Sequence, residues 1–116
     1  SHAVDLQTGA NNNLFQNVRN EWNDGVGYNI SGSVGNIITG ELVDRNGSAN
    51  FAITNGGGAI VGNLFSQRPG RTSEAGAKYN SHFYIEGANS YLMVSNVKTR
   101  TGVDDDGGGN LTPERV

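Results

Sequence analysis

The run Thr8-Gly9-Ala10-Asn11-Asn12-Asn13-Leu14-Phe15 lies over Ser31-Gly32-Ser33-Val34-Gly35-Asn36-Ile37-Ile38 at a step of 23 residues, without a gap. A second step of 23 reaches Thr54-Asn55-Gly56-Gly57-Gly58-Ala59-Ile60-Val61, and a step of 32 reaches Glu86-Gly87-Ala88-Asn89-Ser90-Tyr91-Leu92-Met93. The nine extra residues form one insertion between Gly70 and Phe83, because Tyr28-Asn29-Ile30, Phe51-Ala52-Ile53 and Phe83-Tyr84-Ile85 also superpose. A period in this range signals a repeat architecture, in which each copy is one supersecondary unit that buries its apolar face only by stacking.

Read as columns, the copies keep Leu14, Ile37, Ile60, Leu92; Phe15, Ile38, Val61, Met93; Tyr28, Phe51, Phe83; and Ile30, Ile53, Ile85, which are expected to form the core. Leu42, Phe65 and Val97 share a further column expected to point inward. Asn17, Gly40, Asn63, Ser95 and Asp24, Gly47, Gly70, Gly102 are expected at corners, since Gly and Asn tolerate a left-handed backbone. Between corners the apolar pattern alternates with period two, which is strand, and no stretch carries a helical period over ten residues. The pattern predicts an all-β fold, a right-handed, single-stranded parallel β-helix or solenoid. Its rungs would cover about 7–30, 31–53, 54–85 and 86–110, and residues 1–116 would form one segment of a larger or oligomeric protein. A stack of antiparallel hairpins is the competing architecture, although such turns ask for two-residue loops with flanking alternation.

Composition agrees with a turn-rich, thin-cored chain. Leu, Ile, Val and Phe number 26 of 116 residues, while 18 Gly and 16 Asn supply the corners. Eight basic against eleven acidic residues leave a net charge of −3, of the wrong sign for electrostatic binding to nucleic acid. No cysteine is present, and His2 and His82 are far apart, so neither a Cys-ligated metal nor a His cluster is expected, and no cofactor. Apolar runs stop at three or four residues and no signal peptide is visible, so the expectation is a soluble chain without membrane insertion. Asp104-Asp105-Asp106-Gly107-Gly108-Gly109 has oxygen ligands for calcium, but its spacing matches no known loop, and a solvated loop is the plainer reading.

The runs Asn20-Glu21-Trp22-Asn23-Asp24-Gly25-Val26-Gly27-Tyr28-Asn29, Val43-Asp44-Arg45-Asn46-Gly47 followed by Phe51, and Thr101-Gly102-Val103-Asp104-Asp105-Asp106 resemble rungs of the pectate-lyase-like β-helix in bacteriophage tailspike and appendage proteins. The resemblance covers residues 8 to about 106. It implies a homotrimer located in the virion tail, outside the cell, that binds and usually depolymerises a bacterial surface polysaccharide. The head, most rungs and the C-terminal trimerisation region of such proteins have no counterpart here. A fragment of a secreted polysaccharide lyase or epimerase and a structural shaft without a site are the alternatives. The Arg45, Arg68, Arg100 column suits the lyase, but its metal-binding Asp cluster has no match.

Glu21 and Asp44 fall in one column on neighbouring copies, about 5 Å apart at the Cα, a separation that suits a retaining glycosidase's acid and nucleophile. The competing role is structural: acids before an Asn-Gly corner accept backbone N–H groups or pair with the adjacent Arg column. Trp22 and Tyr84 are expected to point outward as sugar platforms, and Arg45, Arg68 and Tyr79 to line the surface beside them. A subunit interface is the rival use of such aromatics. The insertion, which holds Tyr79, is a candidate binding loop or a plain surface loop.

Overall fold

The computed structural model describes residues 2–71 and 81–100 of the chain. Ten strands follow one another, β1 (Val4–Gln7), β2 (Leu14–Gln16), β3 (Arg19–Glu21), β4 (Tyr28–Ser31), β5 (Asn36–Thr39), β6 (Leu42–Asp44), β7 (Phe51–Thr54), β8 (Gly58–Gln67), β9 (Phe83–Ile85) and β10 (Tyr91–Arg100). They form a four-stranded sheet in the order β1-β4-β7-β9 and a six-stranded sheet in the order β2-β5-β8-β6-β3, with β10 also on β8. Every pairing between these strands is parallel, Ile37 with Ile60 among them.

The expectation of a β-helical solenoid is corrected by this arrangement. The chain forms two separate parallel sheets, and eight of the ten strands are only three or four residues long. The pairing is also branched, because the ten-residue β8 joins β5 along one half and β6 along the other. Nor is the step uniform. It is 24 residues from Val4 to Tyr28, 23 from Phe15 to Ile38, 32 from Phe51 to Phe83 and 33 from Val61 to Val94. One additional residue between β9 and β10 therefore moves β10 along by one, and a shift of one residue exchanges the two faces of a strand. Met93 rather than Leu92 follows Ile60, Val94 follows Val61, and Val97 pairs with Leu64 while Phe65 pairs with Lys98.

Adjacent apolar residues in one strand cannot both face inward. Phe15, Ile38 and Val61 take the inner face, whereas Leu14, Ile37, Ile60 and Met93, expected in the core, make an exposed apolar ladder on the outer face. Leu42 and Phe65 are half-buried and outward, and the inward places beside them belong to buried Val43 and Leu64. The core runs between the sheets and includes Tyr28, Ile30, Ile38, Val43, Phe51, Ile53, Val61 and Phe83. Its spine is aromatic: Tyr28 and Phe51 stack with centroids 5.3 Å apart, Phe51 and Phe83 at 4.9 Å, and Phe15 meets Tyr28 edge-on at 5.4 Å.

A buried polar network completes the interior. Asn23 Nδ2 donates to Asn20 Oδ1 (2.9 Å) and to Asn46 Oδ1 (2.8 Å), and Asn46 Nδ2 donates to Asn50 Oδ1 (3.0 Å). Asn50 Nδ2 in turn donates to Ser66 Oγ (2.9 Å) and to the Gln67 carbonyl (2.8 Å), and Ser66 Oγ lies 2.8 Å from His82 Nδ1. Asn23, Asn46 and Asn50 each also reach a group on a neighbouring copy, so the polar interior ties successive copies together. Gly27 is required there, since a Cβ would sit 2.6 Å from Asn46 Nδ2 and from the Asn50 carbonyl oxygen.

Candidate functional site

The strand β3, the strand β6 and the second halves of β8 and β10 share one outer face. Along it, Arg19, Leu42, Phe65 and Lys98 form one register column, and Glu21, Asp44, Gln67 and Arg100 form the next. The chain then turns a corner at Trp22, Arg45 and Arg68, stacked through the bonds Trp22 N to Asp44 O (3.1 Å), Arg45 N to Gln67 O (3.2 Å) and Arg68 N to Arg100 O (2.7 Å).

This corner breaks the rule the rest of the fold follows. Trp22, Arg45 and Arg68 have φ of 61°, 49° and 40°, while every other non-Gly residue with positive φ among the described residues is Asn. A left-handed residue with a full side chain costs about 1–2 kcal/mol, and Gly or Asn would reduce that. Strain of this kind gathers where a side chain has a task. Of the column expected at this corner, Gly70 holds a left-handed backbone (φ 83°) whereas Asp24 and Gly47 do not, and the left-handed residue common to the three copies lies two places earlier, at Trp22, Arg45 and Arg68. At the other corner Asn96 replaces the expected Ser95, and its Nδ2 donates to Asn63 Oδ1 (2.7 Å).

The indole of Trp22 is 55% exposed. The Arg45 guanidinium lies 4.8 Å from its ring centroid and that of Arg71 5.6 Å, an arrangement that orients the ring by cation–π attraction. Arg71 is itself fixed, donating from Nε to the Arg45 carbonyl (3.0 Å) and from Nη2 to the Asn23 carbonyl (3.1 Å) and to Asp24 (3.0 Å). Arg71 is the first residue of the insertion, which the sequence offers as a candidate binding loop or a plain surface loop.

Glu21 and Asp44 are register partners, as their column requires. Their surroundings differ. Asp44 is buried and accepts Arg68 Nε (2.9 Å) and Nη2 (2.5 Å) as a bidentate fork, with Arg45 Nη1 at 3.1 Å. Glu21 takes Arg19 Nη2 at 3.0 Å on the surface. Asp44 thus serves as the anchor for two corner arginines, and Arg68, expected to contact a glycan, is buried on it. Tyr84 lies on the other sheet, with its hydroxyl donating to the Glu86 carboxylate, apart from Trp22. Tyr79 and the Asp104–Asp106 run lie outside the described residues.

Beside this face, Gly40, Glu41, Asn63, Leu64, Phe65, Asn96 and Lys98 line an open groove of about 400 Å³. Lys98 Nζ sits 5.5 Å from the Phe65 ring centroid. Glu41 is an unexpected inward acid. It is 4% exposed, its Oε2 accepts Val18 N (3.3 Å), and its other oxygen accepts the Tyr28 hydroxyl. Burial raises the Glu41 carboxyl above its ordinary range, and burial together with the nearby Glu41 raises the Tyr28 phenol. Burial also depresses His82 to about 4.

No group of three or more His, Cys, Asp or Glu side chains suited to a metal occurs among the described residues, and no helix there is long and apolar enough to cross a membrane. No family model matches the chain, and no solved structure matches it at a significant level.

Proposed function

We propose that this chain is a polysaccharide-binding segment of a phage tail appendage, with Trp22 as the sugar platform and Arg45 and Arg71 as its flanking donors. The observation that carries the reading is the corner itself: three bulky side chains hold left-handed backbone where Asn or Gly is used elsewhere, and one presents an exposed indole. An oriented aromatic ring beside guanidinium, amide and carboxylate groups suits a ligand with apolar C–H faces and many hydroxyls. Binding is favoured over cleavage because Asp44 is enclosed by Arg68 and Arg45, away from a glycosidic oxygen. Assembly as a trimer, implied by the resemblance, has a candidate contact in the exposed ladder of Leu14, Ile37, Ile60 and Met93.

Trp22 is the chain's single tryptophan, so its emission reports on the platform directly. Titration with surface polysaccharides from a panel of bacteria is expected to shift that emission for one of them. Trp22→Asn should abolish binding yet change folding stability by less than about 1 kcal/mol, since relief of the left-handed strain offsets the lost cation–π contacts. Binding that survives Trp22→Asn unchanged would remove the platform from the proposal.

A further inference from the structure

We infer that this chain associates end to end, the β9–β10 end of one molecule receiving the β1–β2–β3 end of a second. Both sheets stop at open edges. Among the described residues β9 pairs with β7 alone and β10 with β8 alone, while β1, β2 and β3 form the opposite edges. The inward columns reach the β9–β10 end uncovered. Ile30 and Ile53 are fully buried, but their register partner Ile85 is 47% exposed; Ile38 and Val61 are fully buried, but Val94 after them is 37% exposed. A ten-residue edge strand beside uncovered core side chains is a template for a further strand. At the opposite end a cleft of about 240 Å³ opens between β1 and β3, with Val4 and Val18 on its walls.

A second copy fits this end because the lower edge of the molecule complements the upper one. A joint between one ten-residue strand and two short ones already exists inside the fold, where β5 and β6 share β8, and β2 and β3 are the equivalent short pair one copy earlier. Extending the observed register by one step sets Met93 and Val94 against Leu14 and Phe15 of the second molecule. On the other sheet it sets Phe83 and Ile85 against Val4 and Leu6. Val97 comes over Val18, so both walls of the cleft meet apolar partners. The left-handed corner continues as well: Asn17, Gly40, Asn63 and Asn96 have φ of 58°, 69°, 51° and 53°, and Asn17 of the second molecule extends that ladder. One contact opposes the joint, because Lys98 falls opposite Arg19. Joining unlike ends leaves a free edge at each terminus, so growth does not stop at two molecules.

The test is sedimentation velocity of the whole chain across the micromolar range, and the expected result is a mass that rises with concentration without a plateau. Two edge variants locate the joint. The Arg100 carbonyl faces β8, where it accepts Arg68 N, so the Thr99 backbone faces the open edge; the Val18 carbonyl accepts Leu42 N, so the Arg19 backbone faces the open edge at the other end. Thr99→Pro and Arg19→Pro each remove one outward N–H while keeping the bonds the fold makes, and each is expected to hold a single mass at all concentrations. Their equimolar mixture, in which each supplies the end the other lacks, is expected to form a particle heavier than either. Lys98→Glu replaces the repulsion at Arg19 with an attraction and should strengthen association about threefold. A wild-type mass that stays constant, as monomer or closed trimer, or that stops rising at dimer, would overturn the inference. So would growth that both proline variants leave unchanged, or a mixture of variants with wild-type circular dichroism that is no heavier than its components. The Trp22 platform does not take part in the joint, so each of these results leaves the binding reading standing.

Discussion

Acidification should weaken this fold through one residue, His82, and the size of the effect follows from where the ring sits. It is 1% exposed, and Ser66 Oγ, which already accepts Asn50 Nδ2, lies 2.8 Å from Nδ1. The tautomer of the ring sets which of the two donates, and what opposes protonation is the burial of the imidazole. Burial lowers the ring from 6.5 to about 4, so between those values the unfolded chain binds the proton and the folded chain does not. Stability from this group is accordingly complete above pH 6.5 and lost as pH falls towards 4. At about 1.36 kcal/mol per pH unit the interval amounts to about 3 kcal/mol, a large share of a small domain's 5–15 kcal/mol or so. Asn50 holds the equivalent place one strand earlier, so His82→Asn is the conservative comparison. Urea unfolding of both proteins from pH 4 to pH 7.5, followed by far-UV circular dichroism, should show the wild type losing stability relative to His82→Asn as pH falls. A difference between the two that stays constant across that range would refute the assignment.

Glu41 has the opposite sign: its raised carboxyl makes ionisation costly in the folded state, so this contribution falls as pH rises above about 4.5. Glu41→Gln should therefore match or exceed wild-type stability at pH 8, whereas Tyr28→Phe, which removes a donor from a buried acid, should cost about 1–3 kcal/mol by the same urea assay. Asp44→Ala leaves Arg68 buried without its carboxylate and should cost about 3–5 kcal/mol, read as a fall in melting temperature. Gly58→Ala would place a Cβ 1.9 Å from Tyr91 Cε1 and should cost about 1–3 kcal/mol, a loss that a Gly58→Ala, Tyr91→Ala double mutant recovers in part in a double-mutant cycle.

Parallel pairing at the repeat step was legible in the sequence because Phe51-Ala52-Ile53 and its equivalents superpose without gaps. The face of each strand was harder to read. In Leu14-Phe15, Ile37-Ile38 and Ile60-Val61 both neighbours are apolar, and only the phase set by the following corner decides which is inward. That corner begins two residues before Asp24 and Gly47, and nothing in the composition of Trp22, Arg45 or Arg68 announces a left-handed backbone, whereas Gly70, left-handed as well, is legible as a turn former. The closure of the strands into two separate sheets was not legible either, since a period reports which residues pair and not how the pairs are distributed among sheets. For the site, the Glu21–Asp44 column was readable, while the enclosure of Asp44 depended on where Arg68 turns. Glu41 escaped notice because an acid facing inward contradicts the pattern that identified its neighbours.

The asparagine network has a consequence for chemical ageing. Asn46 precedes Gly47, and an Asn-Gly pair deamidates when the glycine nitrogen attacks the asparagine amide to form a succinimide. In the fold, the Gly47 N–H is bonded to the Asn23 carbonyl at 2.6 Å, and the Asn46 amide is held by Asn23, Asn50 and the Asn20 carbonyl. Ring closure needs both groups released together, so the reaction is confined to molecules that have opened. A molecule that does convert acquires a carboxylate at a fully buried position, opposite the Asn50 oxygen that its amide formerly served. Each unfolding excursion thus carries a chance of becoming irreversible, and Asn46 acts as a slow clock of how often this protein has been open.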